Sequence, residues 1–243
     1  MPVFRLPAQP VFPDVALAEP DGLLALGGDL SQERLLAAYR AGIFPWYSKG
    51  EPILWWSPDP RCVLFTDKIH RSRSMLKLLR QGRFRITLNA DFKQVMQQCG
   101  RAPRPGQDGT WITPGMIKAY HALHQAGFAH SAEVWQDRVL VGGMYGVSLG
   151  SVFFGESMFS AVPNASKAAL IRLAEHLQAA GFAVLDGQVG NPHLYRLGAV
   201  DIPRNKFLEI LAAGLAKPAP EGCWPPPGQP LILDAGKAGG AAG

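Results

Sequence analysis

Between Val139 and Val189 the chain holds an apolar hairpin punctuated by glycines, the run Gly155-Glu156-Ser157-Met158-Phe159-Ser160, a helical segment, and the strand Phe182-Ala183-Val184-Leu185-Asp186-Gly187-Gln188-Val189. That order of strand, strand, helix and strand commits the chain to a layered sheet. Successive side chains of an extended strand alternate faces, so Asp186 and Gln188 are expected on one face and Leu185 and Val189 on the other. Two polar groups on an otherwise apolar strand cost about 2 kcal/mol or more if buried without partners. They need neighbouring donors or a polar ligand, and an isolated Asp-x-Gln is more often a satisfied pair of the sheet. Glu156, at the end of the preceding strand, allows three polar groups to converge at one end of the sheet.

Nearly half of the 243 residues are apolar, enough for a sizeable core in one large or two small domains. Cys62, Cys99 and Cys223 lie far apart, with no Cys-x-x-Cys pair and no histidine at ligand spacing. Neither a zinc site nor a disulfide framework is indicated, which suits a reducing cytoplasm. The first residues lack the continuous apolar core of a signal peptide, and the longest uncharged run, from Val139 to Gly155, is interrupted by glycines. No membrane span is expected.

The net charge of +5 is unevenly spread: seven Lys or Arg and no acid lie between Lys68 and Arg85. Met75, Leu76, Leu78 and Leu79 provide the apolar stripe of a short helix, while Arg73, Lys77 and Arg80 recur at i, i+4 and i+7 on another face. A solvated face and a phosphate-backbone footprint are both consistent with that spacing.

Turn-rich sequence from Glu19 to Leu30 leads to Ser31, the expected N-cap of a helix through about Ala41 with Leu35, Leu36 and Tyr39 on its apolar face. Trp46, Trp55 and Trp56 follow within eleven residues. Trp55 and Trp56 read as core, whereas prolines and glycines around Trp46 suggest a loop where the ring stays available for stacking. Beyond the basic helix the sequence predicts a strand over 84–88, a short helix capped by Asn89, and an Arg/Pro/Gly loop from Arg101 to Gly109. Thr113 and Pro114 mark a strong helix start, with Trp111 just before it and Gly127 as its stop. An antiparallel meander over 131–135, 139–147 and 151–156 comes next. Asn164 is the expected cap of a helix through Ala180 with Leu170, Leu173 and Leu177 inward, and a last helix starts near Pro203. Residues 216–243, mostly Pro, Gly and Ala, predict a disordered tail. The pattern is α+β, with a small N-terminal α/β lobe over 1–62 and a mixed-sheet domain over 63–215.

Seven motifs in order resemble those of the bacterial leucyl/phenylalanyl-tRNA–protein transferase family. They are Phe44-Pro45-Trp46, Trp55-Trp56-Ser57-Pro58-Asp59-Pro60-Arg61, Gly109-Thr110-Trp111-Ile112-Thr113, Gly142-Gly143-Met144-Tyr145-Gly146, Gly155 to Ser160, Asn164-Ala165-Ser166-Lys167 and Asp186-x-Gln188. The resemblance runs from about Leu23 to Leu211. It implies an acyl-CoA N-acyltransferase-like (GNAT-like) domain and an enzyme without cofactor, metal or ATP. Such an enzyme moves Leu or Phe, and weakly Met, from aminoacyl-tRNA to the N-terminal Arg or Lys of proteins, marking them for N-end rule degradation. By the same resemblance Asp186 and Gln188 match the catalytic pair, Glu156 the carboxylate near the incoming amine, and Trp46 and Trp111 the aromatics around the tRNA 3′ adenosine. Met144, Phe153, Met158, Leu170, Leu173 and Leu185 match the pocket for the transferred side chain, and Arg73, Lys77 and Arg80 the tRNA-binding helix. A cytoplasmic monomer is expected.

Two other readings compete. A CoA-dependent N-acetyltransferase of the same fold cradles pyrophosphate at a helix N-terminus, and Gln178-Ala179-Ala180-Gly181-Phe182-Ala183 fits its loop pattern but falls at a helix end. A non-enzymatic RNA-binding module accounts for the basic helix and the tryptophans but leaves Glu156, Asp186 and Gln188 without a purpose.

Overall fold

The computed structural model describes residues 3–103, 110–218 and 220–233. Most of the loop expected between Arg101 and Gly109, and the end of the expected tail, lie outside the described residues. Near the N-terminus, β1 (Phe4–Arg5), β2 (Leu23–Leu26), β3 (Phe44–Pro45) and β4 (Leu54–Trp56) form a small sheet in the order β1-β2-β4-β3, beside α1 (Gln32–Arg40). Ser31 caps α1, its hydroxyl accepting from the Arg34 N–H at 3.4 Å.

The chain then enters a larger sheet at β5 (Arg61–Phe65), so the expected division at residue 62 falls within a strand. It continues through α2 (Arg73–Arg80), β6 (Arg85–Leu88), α3 (Phe92–Arg101), α4 (Pro114–Gln125), β7 (Ala129–Gln136), β8 (Val139–Leu149) and β9 (Val152–Ser160). After these come α5 (Ala165–Ala179), β10 (Val184–Gln188), α6 (Pro192–Arg196), β11 (Val200–Ile202), α7 (Arg204–Leu215) and β12 (Leu231–Ile232). The order among the described residues is β11-β5-β10-β9-β8-β7-β6-β12. The meander β7-β8-β9 is antiparallel, and α5 carries the chain over to β10, which pairs with β9 in parallel. This is the mixed α+β architecture expected from the sequence.

One core packs α5 against the sheet through Leu170, Leu173 and Leu177, and the other packs α3 and α4 through Phe92, Val95, Met116 and Tyr120. The approach of α5 to β8 is close enough that a Cβ on Gly142 would lie 2.4 Å from that of Ala165, which explains a glycine there.

Four local expectations are corrected. The cap of α3 is Asp91, accepting from Gln94 N–H at 2.9 Å, while Asn89 takes a left-handed turn (φ 58°) and bonds to β7 instead. Asn164 stands before α5 in a left-handed conformation and makes no side-chain cap. The short helix α6 was not anticipated. Finally, residues 220–233 of the expected tail pack on the domain: Trp224 stacks on His130 at 4.0 Å and donates to the Ser148 hydroxyl, Cys223 is buried, and β12 pairs with β6. The few large apolar groups of this Pro-rich stretch suffice because each meets a preformed face of the domain.

Candidate active site

Pairing between the parallel strands β9 and β10 ends at Phe154 and Asp186. Beyond that point β10 shifts register against β5, and Gln188 adopts φ 60°, so the two strands part. A cavity of about 740 Å³ opens there, lined by Gly155 to Ser160 from β9, by Leu185 and Gly187 to Asn191, by His193 and Leu194 of α6, and by Phe44, Trp46, Trp111 and Met144.

The three polar residues singled out in the sequence do converge, but differently from a same-face pair. Gln188 donates its side-chain Nε2 to Glu156 Oε1 at 2.7 Å, which leaves its carbonyl oxygen Oε1 uncommitted by that bond. The Tyr39 and Tyr120 hydroxyls lie 2.8 and 3.2 Å from the Glu156 carboxylate and in contact with each other, so their two hydrogens are shared among these three contacts. Burial pushes the Glu156 carboxyl up to about 7, while the donors from Tyr39, Gln188 and Tyr120 favour its charged form. The same burial, with the negative charge of Glu156, raises both tyrosines well above their ordinary value.

The carboxylate of Asp186 bonds Arg61 and not the side-chain amide of Gln188. Its two oxygens accept from Arg61 Nε at 2.8 Å and Nη2 at 2.6 Å, and Oδ1 also accepts the backbone N–H of Gln188 at 2.9 Å. Both partners of this ion pair are fully buried. Arg61 gives a further N–H to the Gly42 carbonyl and lies over the rings of Phe44 and Phe207 at 5.0 and 4.5 Å. The pair fixes the backbone turn at Gln188; Glu156 fixes its side chain.

Arg61, Tyr39 and Tyr120 were therefore missed as parts of the site. Arg61 carried a signal, a lone cation opening the apolar strand Cys62-Val63-Leu64-Phe65 with a buried aspartate expected elsewhere. Tyr39 and Tyr120 carried none, since each sits among the apolar positions of a helix.

Among the expected pocket residues, Met144, Met158 and Leu185 line the cavity. Phe153, Leu170 and Leu173 lie behind it in the core, at most 1% exposed. Trp46, 40% exposed, and Trp111 both stand at the cavity wall. Trp56 holds the Trp46 backbone by donating its indole N–H to that carbonyl at 2.7 Å. Arg73, Lys77 and Arg80 are exposed on α2, away from the cavity lining, with Met75 and Leu79 buried beneath. None of the three pairs with a carboxylate among the described residues. The Gln178 to Ala183 segment begins in the C-terminal turn of α5 and runs past it, at the negative end of that helix, where a pyrophosphate is disfavoured.

The described residues contain no helix long and apolar enough to cross a membrane and no group of three or more His, Cys, Asp or Glu suited to a metal ion. A family model described as leucyl/phenylalanyl-tRNA protein transferase matches residues 63–212, and one described as the N-terminal domain of that transferase matches 28–59. Leucyl/phenylalanyl-tRNA–protein transferases of Anaeromyxobacter sp. (strain K) and Syntrophus aciditrophicus are 54% and 56% identical over 224 residues, 92% of this chain and 96% and 94% of theirs. The one from Pseudomonas aeruginosa (strain LESB58) is 58% identical over 198 residues, 82% of this chain and 87% of its own. Likeness to solved structures is slight: one titled the structure of L-PGS from Bacillus licheniformis aligns at 11% identity with a TM-score of 0.39, over 69% of this chain and 53% of that one. With both family models in register and relatives matching over nearly the whole length, the chain belongs to the leucyl/phenylalanyl-tRNA protein transferase family.

Proposed function

We propose that this enzyme transfers leucine or phenylalanine, and methionine weakly, from aminoacyl-tRNA to the α-amine of proteins that begin with Arg or Lys, marking them for N-end rule degradation. It acts as a cytoplasmic monomer. The observation that carries the reading is the Gln188–Glu156 bond in a cavity opened by the parting of two strands, with two tryptophans on its wall.

An aminoacyl ester is already activated, so attack by an amine needs no prior covalent step. What remains is positioning and proton removal. A free α-amine has a pKa of about 7.7–8.0, so its neutral form is accessible near pH 7. Glu156 holds the Nε2 of Gln188 and leaves the amide carbonyl to accept from the attacking amine. Arg61 and Asp186 fix the turn that presents this amide. Trp46 and Trp111 receive the 3′ adenosine by stacking, Met144, Met158 and Leu185 receive the transferred side chain, and Phe153, Leu170 and Leu173 set the depth of that pocket from behind. Arg73, Lys77 and Arg80 hold tRNA phosphates.

The test is to incubate the purified protein with Leu-tRNA and a peptide beginning with Arg, and to weigh the peptide. One added leucine is expected. No added mass from correctly folded protein refutes the reading.

A further inference from the structure

Residues 220–233 are tied to the domain along their length. His176 Nε2 meets the Cys223 carbonyl at 2.7 Å, the Trp224 indole N–H donates to Ser148 Oγ at 3.0 Å, Asn89 Nδ2 donates to the Pro225 carbonyl at 2.8 Å, and Leu231 and Ile232 pair with β6. These bonds hold one large side chain in place. The ring of Trp224 stacks on His130 at 4.0 Å, lies 5.5 Å from the ring of Phe153, and meets that of Phe182 edge-on at 6.4 Å.

The position of Phe153 gives that contact its consequence. Tyr145 and Val147 belong to the core beneath α3 and α4, so by alternation Met144, Gly146 and Ser148 share the opposite face of β8, toward α5. Met144 lines the cavity and Ser148 holds Trp224. Between them the ring of Phe153 lies over Gly146, where a Cβ would come within 2.6 Å of it. Phe153 is also the register partner of Leu185, another residue of the cavity wall, and is itself fully buried. Two residues of strand advance roughly 7 Å, so Met144, Phe153 and Trp224 form a row along β8 that starts at the cavity and ends at the strap.

We propose that Trp224 is a positioning residue for donor selection, holding Phe153 forward against the floor of the cavity and so setting the depth open to the side chain carried by the tRNA. The inference rests on the function proposed above and adds a determinant that lies outside the cavity wall. Close-packed interiors have little slack, and a side chain removed from behind Phe153 leaves room into which its ring can retreat. The pocket then deepens, which favours the larger phenylalanyl side chain over leucyl.

The test measures kcat/KM for Leu-tRNA and Phe-tRNA, with an Arg-initiated peptide, in wild type, Trp224→Ala, Trp224→Leu and Trp224→Phe. Without transfer by folded wild type the function falls and this inference with it; with transfer, the donor ratio decides this inference alone. In Trp224→Ala the ratio of Phe to Leu is expected to rise about 10-fold, the lower end of what one methylene is worth in an apolar pocket. Trp224→Phe keeps a ring behind Phe153 and should hold the wild-type ratio. Should Trp224→Ala fail to fold, Trp224→Leu keeps the site apolar and should move the ratio in the same direction by a smaller factor. Indole added to Trp224→Ala should refill the space and return the ratio toward wild type. A loss of rate or Tm with the donor ratio unchanged, an equal shift in Trp224→Phe, or a shift that indole leaves untouched would each overturn the proposal.

Discussion

Changing Asp186 to Asn is expected to act mainly on stability, through the buried pair with Arg61. The substitution keeps an oxygen for the Gln188 backbone N–H and one acceptor for the guanidinium. It removes the charge and sets an amide NH₂ against an Arg61 N–H that now donates across 2.6–2.8 Å. Arg61 then keeps one neutral bond to the residue-186 oxygen, the Gly42 carbonyl and the faces of Phe44 and Phe207, an uncompensated charge with no access to water. Removing one partner of such a pair costs about 3–5 kcal/mol, a large part of the roughly 5–15 kcal/mol that holds a domain together. Urea unfolding of wild type, Asp186→Asn, Arg61→Met and the double variant Arg61→Met/Asp186→Leu measures this. Both single variants should shift to markedly lower urea, and the double variant should recover most of the loss, because an apolar pair of similar volume leaves no orphaned charge. Transfer should fall by up to about 100-fold in Asp186→Asn, as expected when a reacting group is displaced by about 1 Å. An unchanged unfolding midpoint alongside a large loss of rate would refute the argument and give Asp186 a part in the chemistry itself.

Glu133, buried beneath Thr87, Ser131 and the start of α3, is pushed up to about 7 by burial, from an ordinary 4.5. Between those values the folded chain keeps a proton that the unfolded chain has released, so stability should fall as pH rises from about 4.5 to about 7, by on the order of 3 kcal/mol for the group. Glu133→Gln should flatten this slope in urea melts at pH 5 and 7.5, and a slope equal to wild type would contradict it. Neutralising Arg73, Lys77 and Arg80 together should lower the salt dependence of tRNA affinity by up to about three contacts, each roughly 0.7–0.9 in the log–log slope. An unchanged slope would make α2 a merely solvated face. In the pocket, one methylene is worth about 1–3 kcal/mol, so Ile-tRNA and Val-tRNA should transfer at least several-fold more slowly than Leu-tRNA under matched conditions; equal rates would refute selection by the walls at Met144, Met158 and Leu185.

Much of the fold was legible because local signals agreed with the tertiary structure. Ser31, Thr113 and Pro114 started helices where their side chains and ring suit a first turn, and the alternation of β7 to β9 gave the meander. The convergence of Glu156 and Gln188 was legible too. Their mode of contact was not, because strict alternation places Asp186 and Gln188 on one face, whereas the bulge after Asp186 and the left-handed backbone at Gln188 turn the amide toward β9. Arg61 lies 125 residues from its partner, a separation over which periodicity carries no information. The strap around Trp224 was hidden for a different reason: composition averages over a segment, and one indole on His130 with one short strand on β6 anchors a stretch otherwise poor in large apolar groups.

The central claim is that Glu156 holds the Gln188 amide so that its carbonyl receives the acceptor amine. A crystal structure with an amide-linked leucyl-adenosine analogue and an Arg-initiated peptide tests it most directly. The account predicts the adenine against Trp46 and Trp111, the leucyl side chain on Met144, Met158 and Leu185, and the peptide α-nitrogen within about 2.6–3.2 Å of Gln188 Oε1. An α-nitrogen bound instead by the carboxylate of Asp186 or Glu156, with the Gln188 amide turned elsewhere, would contradict it.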